Sequence, residues 1–132
     1  MRAKTVAMIG TALFVGFFFF LKCPLLSAET AQDRVVRLAE LEVDPAHLGP
    51  YKAALQEEIS TSIRVEPGVL TLYAVSVKDH PTQIRLFEMY ASAAAYETHL
   101  QSPHFKKYKS ATVGMVKSLK LFETEPILLG AK

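Results

Sequence analysis

The chain has 132 residues, half of them hydrophobic, with 15 basic and 13 acidic side chains. That length excludes two ordinary domains but is enough for one real core. The formal net charge of +2 does not argue for a nucleic-acid surface, because the basic excess sits at one end of the chain.

Arg2 and Lys4 precede an almost unbroken apolar run, Val6 to Leu21, which includes Phe17-Phe18-Phe19-Phe20. Lys22 to Ala28 then leads to Glu29. This is the layout of a secretory signal peptide over residues 1–28, cut after Ala28, with one domain over residues 29–132. Leu26 departs from the small residue preferred three positions before the cut. An uncleaved membrane anchor is the alternative, although the run is short for a spanning helix. Lys22 is the wrong neighbour for lipid attachment at Cys23. The expected location is periplasmic or secreted, with membrane contact only through the export signal. Cleavage removes three of the 15 basic residues and none of the 13 acids, which leaves a net charge near −1. It also removes Cys23, the single cysteine, so the domain forms no disulfide and no thiolate metal site. Packing and association have to hold it together.

After a polar lead, Arg34 to Val43 alternates as a strand with apolar residues on both faces, as a doubly covered strand would. Asp44-Pro45 is a helix-start signal, with Asp as cap and Pro in the first turn. Leu48, Tyr51, Leu55, Ile59 and Ile63 follow at helical spacing to about Arg64, with Lys52, Gln56 and Glu57 opposite. Glu66-Pro67-Gly68 is a turn. Val69 to Val77 is rich in β-branched and aromatic residues and reads as the second strand. Lys78 to Thr82 is a hairpin loop, and Gln83 to Tyr90 is the third strand, antiparallel to the second. Ser92 caps a short helix to about Leu100, and Pro103 breaks it. A further helix starts near His104 and carries Phe105, Tyr108, Val113 and Val116. Leu119, Leu121 and Ile127 supply the last strand.

Strand, helix, strand, strand, helix, strand is the α+β, ferredoxin-like split βαβ order. One face of its antiparallel sheet packs on the helices. The other is expected to be apolar, since the middle strands carry Leu70, Leu72, Val75, Ile84, Leu86 and Phe87. An open apolar face predicts a partner, and two sheets face to face give a homodimeric barrel.

Three motifs carry a family resemblance: Glu66-Pro67-Gly68-Val69-Leu70, then Glu88-Met89-Tyr90, then His99-Leu100-Gln101-Ser102-Pro103-His104-Phe105. In this order they resemble the antibiotic biosynthesis monooxygenase domain, closest to its small quinol monooxygenase-like members, over about Arg34 to Phe122. The resemblance implies a dimeric α/β barrel that oxidises phenolic or quinol-type small molecules with O₂ and needs no cofactor: no metal, haem or flavin. The family also holds an isomerase of small phosphorylated carbonyl compounds and haem-degrading relatives. The absence of Trp in this chain disfavours haem degradation.

Oxygenation without a cofactor needs a base to ionise the substrate, groups that hold the anion, and a dry cavity. His99 and His104 are the candidate bases, because imidazole titrates near neutrality. Glu88, in the middle of an apolar strand, is the candidate carboxylate that orients His99. Tyr73, Tyr90, Phe105 and Tyr108 are the candidate substrate-binding residues. Plainer roles stand beside these. The histidines can cap helix ends, Glu88 can pair with Arg85 or Arg37, and the tyrosines can serve packing or the dimer interface. His47 and His80 receive no role, and the lysines from Lys106 to Lys120 read as a solvated face. His99 and His104 are separated by a proline and lack the one-face helical spacing of a zinc pair, so no metal site is expected. No Gly-rich phosphate loop and no nucleophile elbow occurs. The competing functional class is a non-catalytic small-molecule-binding dimer on the same scaffold.

Overall fold

A computed structural model describes residues 33–130. The signal peptide and its cut site fall on residues 1–28 and lie outside the described residues. No helix among the described residues is long and apolar enough to cross a membrane.

The elements are β1 (Val35–Val43), a 3-10 turn (Pro45–His47), α1 (Leu48–Val65), β2 (Val69–Val77), β3 (His80–Tyr90), α2 (Ala93–Gln101), α3 (Pro103–Ala111) and β4 (Val116–Thr124). The strands form one antiparallel sheet in the order β2-β3-β1-β4. This is the α+β ferredoxin-like arrangement expected from the element order. The sheet of the single chain is not closed into a barrel.

Local chemistry sets most boundaries. The Asp44 side chain accepts from the Ala46 amide at 2.9 Å and starts the 3-10 turn. Ser92 Oγ accepts from the Ala95 amide and caps α2. Ser102 ends α2 and caps α3, with Pro103 in the first turn, where its missing N–H costs nothing. The β2–β3 hairpin is tighter than expected, because His80-Pro81-Thr82 already belong to β3. The last helix is shorter than expected. It stops at Ala111, and the chain reverses at Gly114, whose φ of 77° favours a residue without Cβ. Val113 therefore lies in a turn, Val116 opens β4, and Ile127 is fully exposed beyond the sheet.

The core sits between the sheet and α1. Ala39, Leu41, Val43, Ile84 and Leu86 from β1 and β3 pack against Tyr51 and Leu55. A smaller cluster of Val69, Leu72 and Tyr90 adjoins Ile59, Ala95 and Tyr96. The buried stripe of α1 is Tyr51, Leu55, Glu58 and Ser62, so Ile63 is turned outward and half exposed. The two sheet faces are also sorted. Leu72, Ile84 and Leu86 belong to the core, not to the open face. The open face carries the cross-strand row Tyr73, Phe87, Leu38 and Phe122, with Tyr73 69% exposed. An apolar open face is present, but half of the residues expected on it belong to the core, while Leu70, Val75 and Phe87 lie outside the core.

Candidate active site

A cavity of about 530 Å³ lies on the helix side of the sheet. Leu72, Leu86, Ala39 and Leu41 form its floor, Leu55 and Ile59 come from α1, and Phe105 and Tyr108 from α3. The polar groups on its wall include Arg37, Glu58, Glu88 and His99. A mostly apolar cavity of this size with a few convergent polar groups is the usual form of a small-molecule site.

His99 is the centre of the arrangement. It sits on the last turn of α2, 3% exposed, between Tyr90 and Phe105, with ring centroids 5.3 and 4.8 Å away. Its Nδ1 lies 2.9 Å from Glu66 Oε1. The same carboxylate oxygen lies 2.5 Å from His104 Nε2. On the other side of the ring, His99 Nε2 is 3.6 Å from Glu58 Oε1, which accepts from Ser62 Oγ at 2.7 Å. Glu66 accepts from both imidazoles, so His99 carries its proton on Nδ1 and leaves Nε2 as the basic nitrogen.

The backbone explains why Glu66 reaches this position. The Glu66-Pro67-Gly68 turn runs under the start of α2, and a Cβ on Gly68 would stand 2.5 Å from Ala95 Cβ. Only glycine permits that approach, and the Gly68 carbonyl accepts from the Ala91 amide at 2.9 Å. The break at Ser102-Pro103 then turns α3 so that His104 meets the same carboxylate as His99.

Burial and hydrogen bonding divide the carboxyl groups. Burial alone would raise Glu66, but the hydrogen bonds from His99 and His104 outweigh it and hold its carboxyl below the usual range. Burial pushes Glu58 up, against the opposing pull of the Ser62 hydroxyl and the histidines. Burial likewise raises Glu88, although the Tyr90 hydroxyl donates to it at 3.1 Å. The phenols of Tyr90 and Tyr108 are pushed up, chiefly by burial.

Of the residues singled out from the sequence, His99, Glu88, Tyr90, Phe105 and Tyr108 share this cavity. His104 lies behind it, joined to His99 through Glu66 and facing a shallow surface depression. Tyr73 stands on the opposite face of the sheet, away from the others. The carboxylate bonded to His99 is Glu66, not Glu88. Glu88 bonds to Tyr90 and lies across the strand pair from Arg37, while Arg85 pairs with Glu40 at 3.6 Å. Tyr108 gives its hydroxyl to a partner outside the substrate space, the Tyr51 hydroxyl 2.8 Å away.

Sequence reading missed Glu58 and Glu66. The signal for Glu58 was its place three residues after Leu55, which puts the two on one helix face. Glu66 stood inside a turn motif and was given no chemical role there. The helical-spacing argument against a metal also fails in three dimensions. The α2–α3 kink brings His99 and His104 together with Glu58, and their donor atoms lie within 4.8 Å of one another. These side chains could hold a divalent ion; as they stand, Glu58 accepts from Ser62 and both histidines bond to Glu66.

The profile of the antibiotic biosynthesis monooxygenase family matches residues 34–111. The chain belongs to this family. A solved structure from Bacteroides thetaiotaomicron, named "Putative antibiotic biosynthesis monooxygenase", is 47% identical. The match covers 78% of this chain and 98% of that one, with a TM-score of 0.75. A "putative monooxygenase" from Lactobacillus acidophilus is 34% identical over 68% of this chain and 43% of its own, at a TM-score of 0.67. A Nitrosomonas europaea structure shares the fold at 19% identity, with 74% and 94% of the two chains covered and a TM-score of 0.68. No curated protein matches the chain. Family membership and the Bacteroides thetaiotaomicron relative support a monooxygenase-like role.

Proposed function

We propose that this protein is an exported monooxygenase that oxidises a small quinol or phenol with O₂ and takes the electrons from the substrate itself. One observation carries the reading: His99 stands in the wall of a mostly apolar cavity with Nδ1 bonded to Glu66 and Nε2 left free of a close partner. Nε2 takes the phenolic proton, and Glu66 stabilises the imidazolium that results. The phenolate is the electron-rich form that O₂ attacks. Tyr90 and the Glu88 carboxyl, which burial pushes toward its neutral form, supply hydrogen-bonding groups on the same wall. The apolar floor keeps bulk water from the reduced oxygen species.

In this reading the apolar outer sheet face pairs with a second copy, and residues 1–28 direct export. Aerobic and anaerobic turnover of a quinol panel, with O₂ consumption followed, tests the chemistry. The expected result is O₂-dependent loss of a quinol that His99→Ala slows by about 10²–10⁴-fold. Turnover that is equal with and without O₂ would refute it. Expression with the leader in a bacterium, followed by intact-mass measurement, tests export. Glu29 should be the N-terminus of a periplasmic product, and a full-length chain retained in membranes would refute the cleavage.

A further inference from the structure

We propose that Arg37 seats a carboxylate of the substrate, so that the ligand is a small aromatic acid rather than an uncharged quinol. The inference deepens the proposed function and rests on the same cavity. Arg37 lies in the middle of β1, in register with Glu88 on β3 and Glu123 on β4. It lines the cavity together with Tyr96, Leu100 and Glu88. The guanidinium carbon stands 4.7 Å from the centroid of the Tyr96 ring, which holds the planar fork against an aromatic face. Arg37 Nε is buried and has no hydrogen-bond partner. A buried donor without an acceptor is rare in folded proteins and points to a ligand atom that completes it. Glu88, the acid opposite, is engaged by the Tyr90 hydroxyl.

Several features select the ligand class. A guanidinium fork matches a planar oxyanion in two parallel hydrogen bonds, and a carboxylate presents that geometry. One guanidinium balances a single negative charge, which favours a monoanion over a phosphate dianion. The other basic groups on the cavity wall are His99, bonded to Glu66, and Lys109, which lies toward the exposed turn at Val113 and Gly114. The remaining wall of Leu72, Leu86, Tyr90 and Phe105 suits an aromatic ring.

Three probes separate the terms: 2,5-dihydroxybenzoate, its methyl ester, and hydroquinone. Their affinities for the purified protein are measured by titration calorimetry under anaerobic conditions, where no oxidation intervenes. The acid should bind the wild-type protein at least about tenfold more tightly than the ester or hydroquinone, as expected for a charge-assisted hydrogen bond. Arg37→Gln should abolish that preference and leave hydroquinone affinity within about twofold. Arg37→Lys keeps the charge but not the fork, and should retain only part of the preference. If Arg37→Gln does not fold, the comparison is made on Arg37→Lys alone, and an undiminished preference there overturns the proposal. It is also overturned if the wild-type protein binds the acid no better than the ester, or binds none of the three. Because binding is read without turnover, an acid that binds but is not oxidised in air defeats the oxidation reading and leaves the carboxylate seat standing.

Discussion

Replacing Glu66 by Ala tests whether the turn before β2 holds the histidine pair. Two hydrogen bonds to one carboxylate oxygen are lost, from His99 at 2.9 Å and His104 at 2.5 Å. The His99 ring is almost fully enclosed, so its Nδ1–H cannot recover a water, and an unsatisfied buried donor costs about 1–3 kcal/mol. The His104 side chain is 15% exposed and can be rehydrated, so its loss is about 1 kcal/mol. The sum is about 2–4 kcal/mol of stability, and Glu66→Gln, which keeps one acceptor, should lose about half of it. The pH dependence has a definite sign. The folded Glu66 carboxyl is held below its ordinary value, so its contribution is complete above the ordinary carboxylate range and is lost as pH falls through the lowered value. Urea unfolding of wild type and Glu66→Ala at stepped pH, from about 6 down to 3, should show a gap that closes toward the acid end. A gap smaller than about 0.5 kcal/mol at pH 6, or one that widens below pH 4, would refute the role given to Glu66.

Gly68→Ala should destabilise the domain by about 1–3 kcal/mol, read as a lower urea midpoint, because the new Cβ would collide with Ala95 at 2.5 Å. An unchanged midpoint would mean that α2 does not need this close approach. Tyr51→Phe should cost about 1 kcal/mol in the same assay, since it removes the hydroxyl 2.8 Å from Tyr108 Oη; no loss would show that the phenol pair contributes nothing. On the open sheet face, Tyr73→Asp should shift the protein from dimer to monomer in sedimentation velocity at micromolar concentration, whereas Leu72→Asp would disrupt the core of each subunit. A wild-type protein that sediments as a monomer would refute the face-to-face pairing.

The element order was legible because its signals are local. Asp44, Ser92 and the Ser102-Pro103 break each act within a few residues, and the alternation of β2 needs no knowledge of the rest of the chain. Alternation says that Leu72 and Tyr73 face opposite ways, but not which of them faces the helices. Both are apolar, and the packing of α1 against Leu72 decides it. The site was half legible for the same reason. His99 and Phe105 share a seven-residue stretch, whereas the carboxylate that fixes His99 lies 33 positions earlier in the chain. An acid in a strand looked the better partner than an acid in a turn, because burial of Glu88 was foreseeable and the close approach at Gly68 was not. Glu58 was hidden by the choice of Ile63 for the apolar stripe, which places the helix face about one residue from its true orientation.

His99 stands between two acids, Glu66 at Nδ1 and Glu58 beyond Nε2. Their surroundings push them apart: Glu66 is held toward its charged form by the histidines, and Glu58 is driven toward its neutral form by burial. The charged acid meets Nδ1, so it sets the tautomer. Glu58 Oε1 lies 3.6 Å from Nε2, on the cavity side of the ring, and burial favours its neutral form. Two titratable groups separated in this way divide the base and acid roles of a site between them. Glu58→Gln checks this without a substrate. A carboxyl whose folded value is raised contributes stability that is complete below its ordinary value and is lost as pH rises through the raised one. Gln keeps an acceptor for the Ser62 hydroxyl but never ionises. The variant should therefore match wild type near pH 4 and become the more stable of the two as pH rises toward 8, by about 1.4 kcal/mol for each tenfold shift in the acid's equilibrium. Equal stabilities across that range would mean that Glu58 is charged in the folded protein, and the division of roles around His99 would have to be abandoned.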